Sequence, residues 1–97
     1  MPAKRPPKTA ATRKRQDYRS ASRTAPGAAA QLARLAKRCK ELRIAADLSQ
    51  QEAGEAADLS PKHVGAIEYG KANPTFTTLA ALARAYGVSL GEMLAGV

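Results

Sequence analysis

The chain has 97 residues, enough for one small domain, and a formal net charge of +8 that is unevenly distributed. Eight of its sixteen basic residues but only one of its eight acidic residues lie within residues 1–28, so the excess positive charge belongs to the N-terminal segment. The single cysteine excludes an internal disulfide, and no apolar run approaches the ~20 residues of a membrane span, so we expect a cytoplasmic protein without a membrane partner.

Residues 1–28 are predicted to form a disordered basic tail, followed by one folded domain at residues 29–97. The tail contains four of the six prolines, and residues 1–27 hold no Leu, Ile, Val or Phe. Such a segment buries too little apolar surface to offset the entropy of ordering. Two interpretations stay open: an arm that lies along DNA phosphates, or a solubilising tail. A targeting segment is disfavoured, because the tail lacks both an apolar central region and an amphipathic stripe.

The first predicted helix covers residues 28–46. Its apolar residues recur at the i, i+3, i+4 spacing of an amphipathic helix, and they are Leu32, Leu35, Cys39, Leu42 and Ala46. Cys39 lies on this stripe. A lone cysteine in that position is expected to fill the core rather than to act as a nucleophile or a metal ligand.

Two short helices are predicted next, at about residues 49–69, and each has its own start signal. Ser49 and Glu52 have the spacing of a capping box, in which each side chain bonds the other residue's backbone amide. Ser60 is a good N-cap, and it precedes Pro61, a residue type favoured at the first helical position. Asp58 lies at the turn between the helices. Helices this short are unstable alone, so the pair must pack on a scaffold as a helix-turn-helix.

A fourth helix is predicted from Thr75 as N-cap to Tyr86, with a stop at Gly87. It is expected to turn five apolar residues inward, namely Phe76, Leu79, Leu82, Ala83 and Tyr86. A fifth short helix follows a second capping box, formed by Ser89 and Glu92. No alternating strand pattern occurs in the sequence, so the predicted fold is all-α with five helices.

Several separately spaced segments together resemble the Cro and phage-repressor type of helix-turn-helix, the XRE family, over about residues 32–95. They are LSQQEA at 48–53, DLS at 58–60, VGAIEYGK at 64–71, NPTF at 73–76 and LAALARAYGVSL at 79–90. The resemblance implies a five-helix phage-repressor-like DNA-binding domain. Three residues depart from the family pattern: Ala53 replaces the usual Leu, Gly54 the usual Ala, and Asp58 the usual Gly. We expect these departures to lower stability, with Gly54 costing about 0.5–1 kcal/mol relative to alanine inside a helix.

In a helix-turn-helix the second helix enters the major groove, where its N-terminal residues contact base edges. Applied to this sequence, the base-contacting residues are Pro61, Lys62, His63 and Ala66. Lys62 can donate to guanine, His63 can donate or accept at a purine edge, and Ala66 can touch a thymine methyl group. Because few polar groups face the bases, sequence discrimination is expected either to be modest or to rest partly on DNA shape. The alternative, a solvated side chain without a DNA contact, stays open for Lys62 and His63.

The resemblance also implies phosphate contacts beside that helix, and the residues concerned are Gln50, Ser60, Tyr69, Lys71 and Asn73. Gln50 is further expected to brace the recognition helix. For Ser60, helix capping alone is a sufficient explanation, and packing on the domain surface is the alternative for Tyr69. The family commonly pairs a glutamate of the recognition helix with an arginine of the first helix, which implies a structural ion pair between Arg43 and Glu68.

These features predict a sequence-specific double-stranded DNA-binding transcriptional regulator, most simply a repressor that occupies its operator. A homodimer is expected, because one recognition helix contacts only a few base pairs. The apolar residues Leu90, Met93, Leu94 and Val97 are either its dimer surface or part of the core. Two alternatives stay open: an antitoxin that binds DNA and a toxin partner, and a protein-interaction adaptor. The sequence shows no carboxylate pair, nucleophile–base set or metal-ligand spacing, so we expect no enzyme activity, cofactor or metal.

Overall fold

The computed structural model describes residues 26–97 as five α-helices, with no strand in that range. The helices are α1 (Ala28–Ala45), α2 (Gln50–Ala57), α3 (Pro61–Glu68), α4 (Phe76–Ala85) and α5 (Leu90–Leu94). The predicted all-α, five-helix fold is therefore confirmed. Most of the predicted basic tail, residues 1–25, lies outside the described residues. None of the helices in residues 26–97 is long and apolar enough to cross a membrane.

Hydroxyl side chains cap the N-termini of the last four helices, as the sequence predicts. The hydroxyl oxygens of Ser49 and Ser89 each accept the third helical amide at 3.0 Å, and both capping boxes are complete. Ser60 caps α3 at 3.0 Å and Thr75 caps α4 at 3.2 Å. Each cap typically contributes about 1 kcal/mol, so local sequence largely decides where these helices begin.

Left-handed residues end the two helices of the central pair. Asp58 follows α2 with φ 61°, and Gly70 follows the end of α3 with φ 73°. Aspartate tolerates this region better than most residues with a side chain, and glycine adopts it without steric cost. The chain thus turns sharply after α2 and again after α3.

The core lies between the five helices: α1 packs on α3 and α5, α2 packs on α3 and α4, and α4 packs on α5. Its largest fully buried side chains are Cys39, Val64, Leu82 and Met93. The helix α2 contributes only small buried residues, namely Ala53, Gly54 and Ala57. Because those side chains are short, α2 can pack close to both α3 and α4. Cys39 is a core residue with 0% exposure, as predicted from its place on the apolar stripe.

The expectation for Phe76 is wrong, because its ring is 71% exposed rather than turned inward. The other four residues of the predicted stripe, Leu79, Leu82, Ala83 and Tyr86, are buried. Phe76 is the first residue of α4. Side chains in a helix point back toward its N-terminus, so a side chain in the first turn projects beyond the packed part of the helix.

The expectation that Gly54 weakens the fold is also wrong. A Cβ atom built at Gly54 would lie 2.5 Å from the backbone carbonyl oxygen of Leu59, which is far inside van der Waals contact. The amide of Leu59 also donates to the Gly54 carbonyl oxygen at 2.7 Å. The backbone leading into α3 therefore packs directly on α2 at this residue. No space remains for a side chain, so glycine is required here.

The buried thiol predicts a loss of stability at alkaline pH. Burial, and then the charge of Glu68, raise the pKa of Cys39 from 9.0 to about 11. The unfolded thiol ionises first as pH rises, so ionisation favours the unfolded state. We expect the free energy of unfolding to fall between pH 8.5 and 10, by a fraction of the roughly 2–3 kcal/mol that two pKa units represent. Urea titrations across this range measure the slope.

The control for this prediction is Cys39→Ala, which removes the ionisable group and leaves the remaining titratable groups in place. Burial also raises the pKa of Tyr86, but that phenol has an ordinary pKa of 10.0 and contributes mainly above the tested range. The variant should be less stable overall and should lose less stability between pH 8.5 and 10. Equal slopes for the parent and Cys39→Ala would contradict the assignment to this thiol.

Candidate nucleic-acid interface

Helices α2 and α3 form a helix-turn-helix whose second helix has one buried side and one open side. Val64, Gly65 and Ile67 of α3 are buried against the rest of the domain. Pro61 and Lys62 are exposed at the start of the same helix. The helix is therefore held by its inner side, and its first turn faces outward.

Three of the four residues predicted to contact bases form the first turn of α3, and Ala66 lies about one turn further along the helix. Pro61 and Lys62 are exposed, while His63 and Ala66 are partly exposed. Ser60, just before them, is exposed and its hydroxyl accepts the amide of His63. The small side chain of Ala66 adds little bulk to the open side of the helix near its middle. The arrangement lets a large flat or grooved partner approach the helix backbone closely.

The carboxylate of Glu68 joins three helices at the other end of α3. Arg43 of α1 donates to it through Nε at 2.6 Å and through Nη2 at 3.1 Å. Gln50 of α2 donates to the same carboxylate through Nε2 at 3.1 Å. The side chains of Arg43 and Glu68 are only 12% and 3% exposed, respectively. The expected ion pair between them is present, and its hydrogen bonds raise the pKa of Arg43.

Arg43 also fixes the connection between α1 and α2. Its Nη1 group donates to the backbone carbonyl oxygen of Leu48 at 2.8 Å. Three of the guanidinium donors are therefore used inside the domain. The planar fork of the guanidinium suits this role, because it holds a carboxylate and a carbonyl oxygen at fixed angles. Helix α3 is thus anchored at its last residue, far from its exposed first turn.

Gln50 lies against α3 at the N-terminus of α2. A Cβ atom at Gly65 would be 3.5 Å from the Gln50 Oε1 atom, so the glycine and the amide are neighbours. The bracing expected for Gln50 is therefore present in the geometry. Its hydrogen bond to Glu68 is not predicted by the sequence pattern, although Gly65 and Glu68 lie one helical turn apart on α3. One amide N–H of Gln50 stays outside this bond, since a side-chain amide has two.

The other residues predicted to contact phosphate follow α3 in the chain. Tyr69 is 77% exposed, so its ring does not pack on the domain surface. Lys71 and Asn73 are exposed on the loop that leads to α4. The backbone amides of Lys71 and Ala72 both donate to the Ala66 carbonyl oxygen, at 2.9 and 3.3 Å, which holds the loop against the end of the helix. These three side chains and the first turn of α3 therefore lie at opposite ends of the same helix.

The apolar C-terminal residues divide between core and surface. Met93 is 0% exposed and belongs to the core, while Leu90 and Val97 are half-buried against it. Leu94 is 37% exposed. Of the four residues interpreted as either dimer surface or core, Met93 therefore belongs to the core. Within residues 26–97 no group of His, Cys, Asp and Glu side chains has the proximity needed to hold a metal ion.

Comparison with known proteins agrees with this arrangement. The family model described as Helix-turn-helix matches residues 40–93, which include α2, α3 and α4 entirely. The HTH-type transcriptional regulator DdrOP3 of Deinococcus deserti is 34% identical over 64 residues, covering 66% of this chain and 50% of that protein. The HTH-type transcriptional regulator PuuR of Escherichia coli is 39% identical over 56 residues, covering 58% of this chain and 30% of that protein.

The chain thus spans half or less of the length of the curated relatives that it matches. The matched family segment, in contrast, covers more than half of the chain and contains the helix pair and the Glu68 carboxylate that anchors it. The chain belongs to the helix-turn-helix family, of the XRE type that its sequence resembles.

Proposed function

We propose that the chain is a sequence-specific double-stranded DNA-binding transcriptional regulator that acts as a repressor by occupying its operator. The observation that carries the proposal is the construction of α3. Its last residue is fixed by Arg43 and Gln50, while its first turn carries Pro61 and Lys62 into solvent. A helix held in this way fits the major groove, which is about 12 Å wide. The protein acts by binding, with no catalysis and no cofactor.

The first turn of α3, together with Ala66 about one turn further along, contacts the bases. The Lys62 ammonium donates to guanine O6 or N7, and the His63 imidazole donates to or accepts from a purine edge. Ala66 contacts a thymine methyl group, and Pro61 makes apolar contacts only. Two polar side chains specify few base pairs, so the sequence-dependent shape of the duplex supplies part of the discrimination.

Phosphates on both sides of the groove fix the orientation of the domain. Gln50 contacts one backbone with its second amide N–H, near the N-terminus of α2, where free amides favour an anion. Ser60 lies beside the first turn, and Tyr69, Lys71 and Asn73 follow the end of α3. The basic residues within 1–28 add affinity that is independent of sequence and falls with salt.

Two copies bind together, because one recognition helix contacts too few base pairs to define an operator. Two-fold related half-sites about 34 Å apart place both recognition helices on one face of the duplex. A regulator of this kind works on DNA in the cytoplasm, in association with the nucleoid.

Replacing Lys62 with alanine tests the base contact. Lys62 is exposed, so Lys62→Ala should leave the unfolding temperature unchanged. The preference for a duplex selected from a random pool over a scrambled duplex should fall by about tenfold, since one base contact is lost. Fluorescence anisotropy at constant salt measures both affinities.

Lys37→Ala is the matched control. Lys37 is also exposed, but it lies on α1, near Arg34 and the last residues of the chain. Its replacement should change affinity for both duplexes equally or leave both unchanged. An unaltered preference in Lys62→Ala would remove this lysine from the base-contacting set.

A further inference from the structure

The basic side chains of α1 divide into two groups. Its three arginines all donate to the rest of the domain: Arg34 and Arg38 to carbonyl oxygens in residues 92–97, at 3.0 and 2.9 Å, and Arg43 to the carboxylate on α3. Its two lysines, Lys37 and Lys40, are exposed and make no side-chain hydrogen bond or ion pair within residues 26–97. The arginines therefore hold the domain together, whereas the two ammonium groups are available to an outside partner.

Lys40 lies beside the segment that follows α3. A Cβ atom built at Gly70 would be 3.9 Å from the Cβ atom of Ala36, so α1 and the end of α3 are in contact there. Lys40 follows Ala36 by one helical turn and is therefore on the same side of α1. Helical side chains lean toward the N-terminus of their helix, so the Lys40 side chain extends over the turn that contains Ala36. Its ammonium group is thus directed toward Gly70 and the exposed Lys71 that follows it.

Lys37 lies on a different part of the exposed surface, although it precedes Lys40 by only three residues. It borders a shallow depression together with Arg34 and residues 95–97. Glu41, the only acidic residue of α1, borders the same depression one helical turn after Lys37, where it partly offsets the lysine charge. Lys40 does not border this depression. The two lysines therefore differ in surroundings while sharing residue type, helix and exposure.

We propose that Lys40 binds a phosphate of the DNA backbone, next to the phosphate bound by Lys71, so that α1 supplies a DNA contact of its own. The inference rests on the proposed function for the presence of the duplex. Because Lys40 adjoins the segment after α3, its charge continues the surface that already meets the backbone. A lysine ammonium is a compact charge on a flexible stem, which suits a phosphate. Such a contact positions the domain and carries no sequence information.

The contact fixes the orientation of α3 from a second helix. Arg43 links α1 to the last residue of α3 and to the backbone before α2, so the three helices move as one unit. Lys40 lies one helical turn before this link. A phosphate held by Lys40 and another held by Lys71 therefore oppose rotation of α3 about its own axis.

The salt dependence of DNA binding tests the contact on the full-length chain. In Lys40→Gln the slope of log affinity against log salt concentration should become shallower by about 0.9, because one phosphate contact is lost. At about 0.1 M salt the affinity should fall about five- to tenfold for a selected and a scrambled duplex alike, so the preference between them stays. Lys40→Arg should keep the parental slope, and neither variant should change the unfolding temperature. Fluorescence anisotropy across a salt series measures the slopes.

Lys37→Gln is the matched control, because it removes the same charge from the same helix. Its slope should change by less than half as much as that of Lys40→Gln. Equal changes in the two variants would show an effect of net charge alone and would overturn the proposal. A parental slope in Lys40→Gln would overturn it as well.

Ethylation of single phosphates locates the contact on the duplex, since each ethyl group removes one negative charge. Lys40→Gln should become insensitive to ethylation at one phosphate of each half-site, and Lys71→Gln at a neighbouring phosphate of the same strand. Insensitive phosphates that lie far apart would overturn the proposal. A parent that binds no duplex at low salt contradicts the proposed function and this contact with it. A parent that prefers its selected duplex, while Lys40→Gln behaves as Lys37→Gln does, keeps the function and overturns only the Lys40 contact.

Discussion

Replacing Gly54 with alanine is expected to destabilise the domain by about 3 kcal/mol, the upper end of the cost of overpacking a core. The added Cβ atom would lie 2.5 Å from the Leu59 carbonyl oxygen and 3.3 Å from the carbonyl carbon of Ser60. These are backbone atoms of the turn, so no flexible side chain can move aside. In a domain of this size the unfolding temperature should fall by more than about 10 °C, which thermal denaturation followed by circular dichroism measures.

Gly65→Ala is the matched control, because Gly65 is also a buried glycine inside a short helix. The atoms nearest to a Cβ atom there belong to the end of the Gln50 side chain, at 3.5 Å or more, which is an ordinary contact. Alanine has the better helix propensity, so Gly65→Ala should stabilise the domain by up to about 1 kcal/mol. The two identical substitutions should thus have opposite signs. A Gly54→Ala variant as stable as Gly65→Ala would contradict the close approach of α2 and the turn.

Replacing Arg43 with methionine is expected to cost about 3–5 kcal/mol, because it leaves the buried Glu68 carboxylate without its charged partner. Glu68 would keep the hydrogen bond from Gln50, but its side chain is only 3% exposed, so water cannot replace the guanidinium. Small domains have stabilities near the lower end of about 5–15 kcal/mol, so a large part of the variant should be unfolded at 37 °C. Urea titration followed by circular dichroism measures the loss.

A double-mutant cycle separates the ion pair from the shape of the side chains. The variant Arg43→Met with Glu68→Met should be more stable than the two single changes predict by addition, since no unpaired charge remains buried. Arg84→Met serves as the control, because Arg84 is exposed and makes no ion pair among the described residues. Its cost should stay within about 0.5 kcal/mol. Strictly additive costs would show that Arg43 and Glu68 act independently.

The helix starts could be predicted from sequence because their cause is local. A hydroxyl residue and the amide three residues on suffice to cap a helix, and Ser49, Ser60, Thr75 and Ser89 all do so. The same holds for the left-handed turns, which depend on the residue type at the turn itself. Periodicity likewise identified all of the buried residues of α4, but in α1 it identified Leu35 and Cys39 and missed Ala28 and Ala36.

Phe76 and Gly54 could not be predicted correctly, because their environments depend on neighbours from other parts of the chain. Periodicity places Phe76 close to the buried face of α4, but it does not show where packing against other helices stops. Helix propensity penalises Gly54, but it contains no information about the Leu59 carbonyl oxygen that fills the space of a side chain. Both errors concern how closely two helices or turns approach each other. The spacing of residues within one helix gives no information about that distance.

The candidate site was predicted only in part, and the parts that were predicted had sources other than local sequence. The ion pair of Arg43 with Glu68 followed from the family resemblance rather than from the residues, since 25 positions separate them. The second donor, Gln50, was expected to brace α3, but its partner emerged only from the packing of α2 against α3. The outward position of Lys62 followed from helical geometry: if Val64 and Ile67 point inward, Lys62 lies on the opposite side of the helix.

Selection of duplexes from a random pool, carried out with the parent and with a Lys62→Ala, His63→Ala variant, tests most directly whether α3 contacts bases. The parent should enrich a two-fold symmetric sequence with half-site centres about 34 Å apart. The variant should retain that spacing and lose base preference at the same one or two positions of each half-site. If the parent enriches no sequence, or if the variant enriches the parental sequence unchanged, α3 is not the element that recognises DNA.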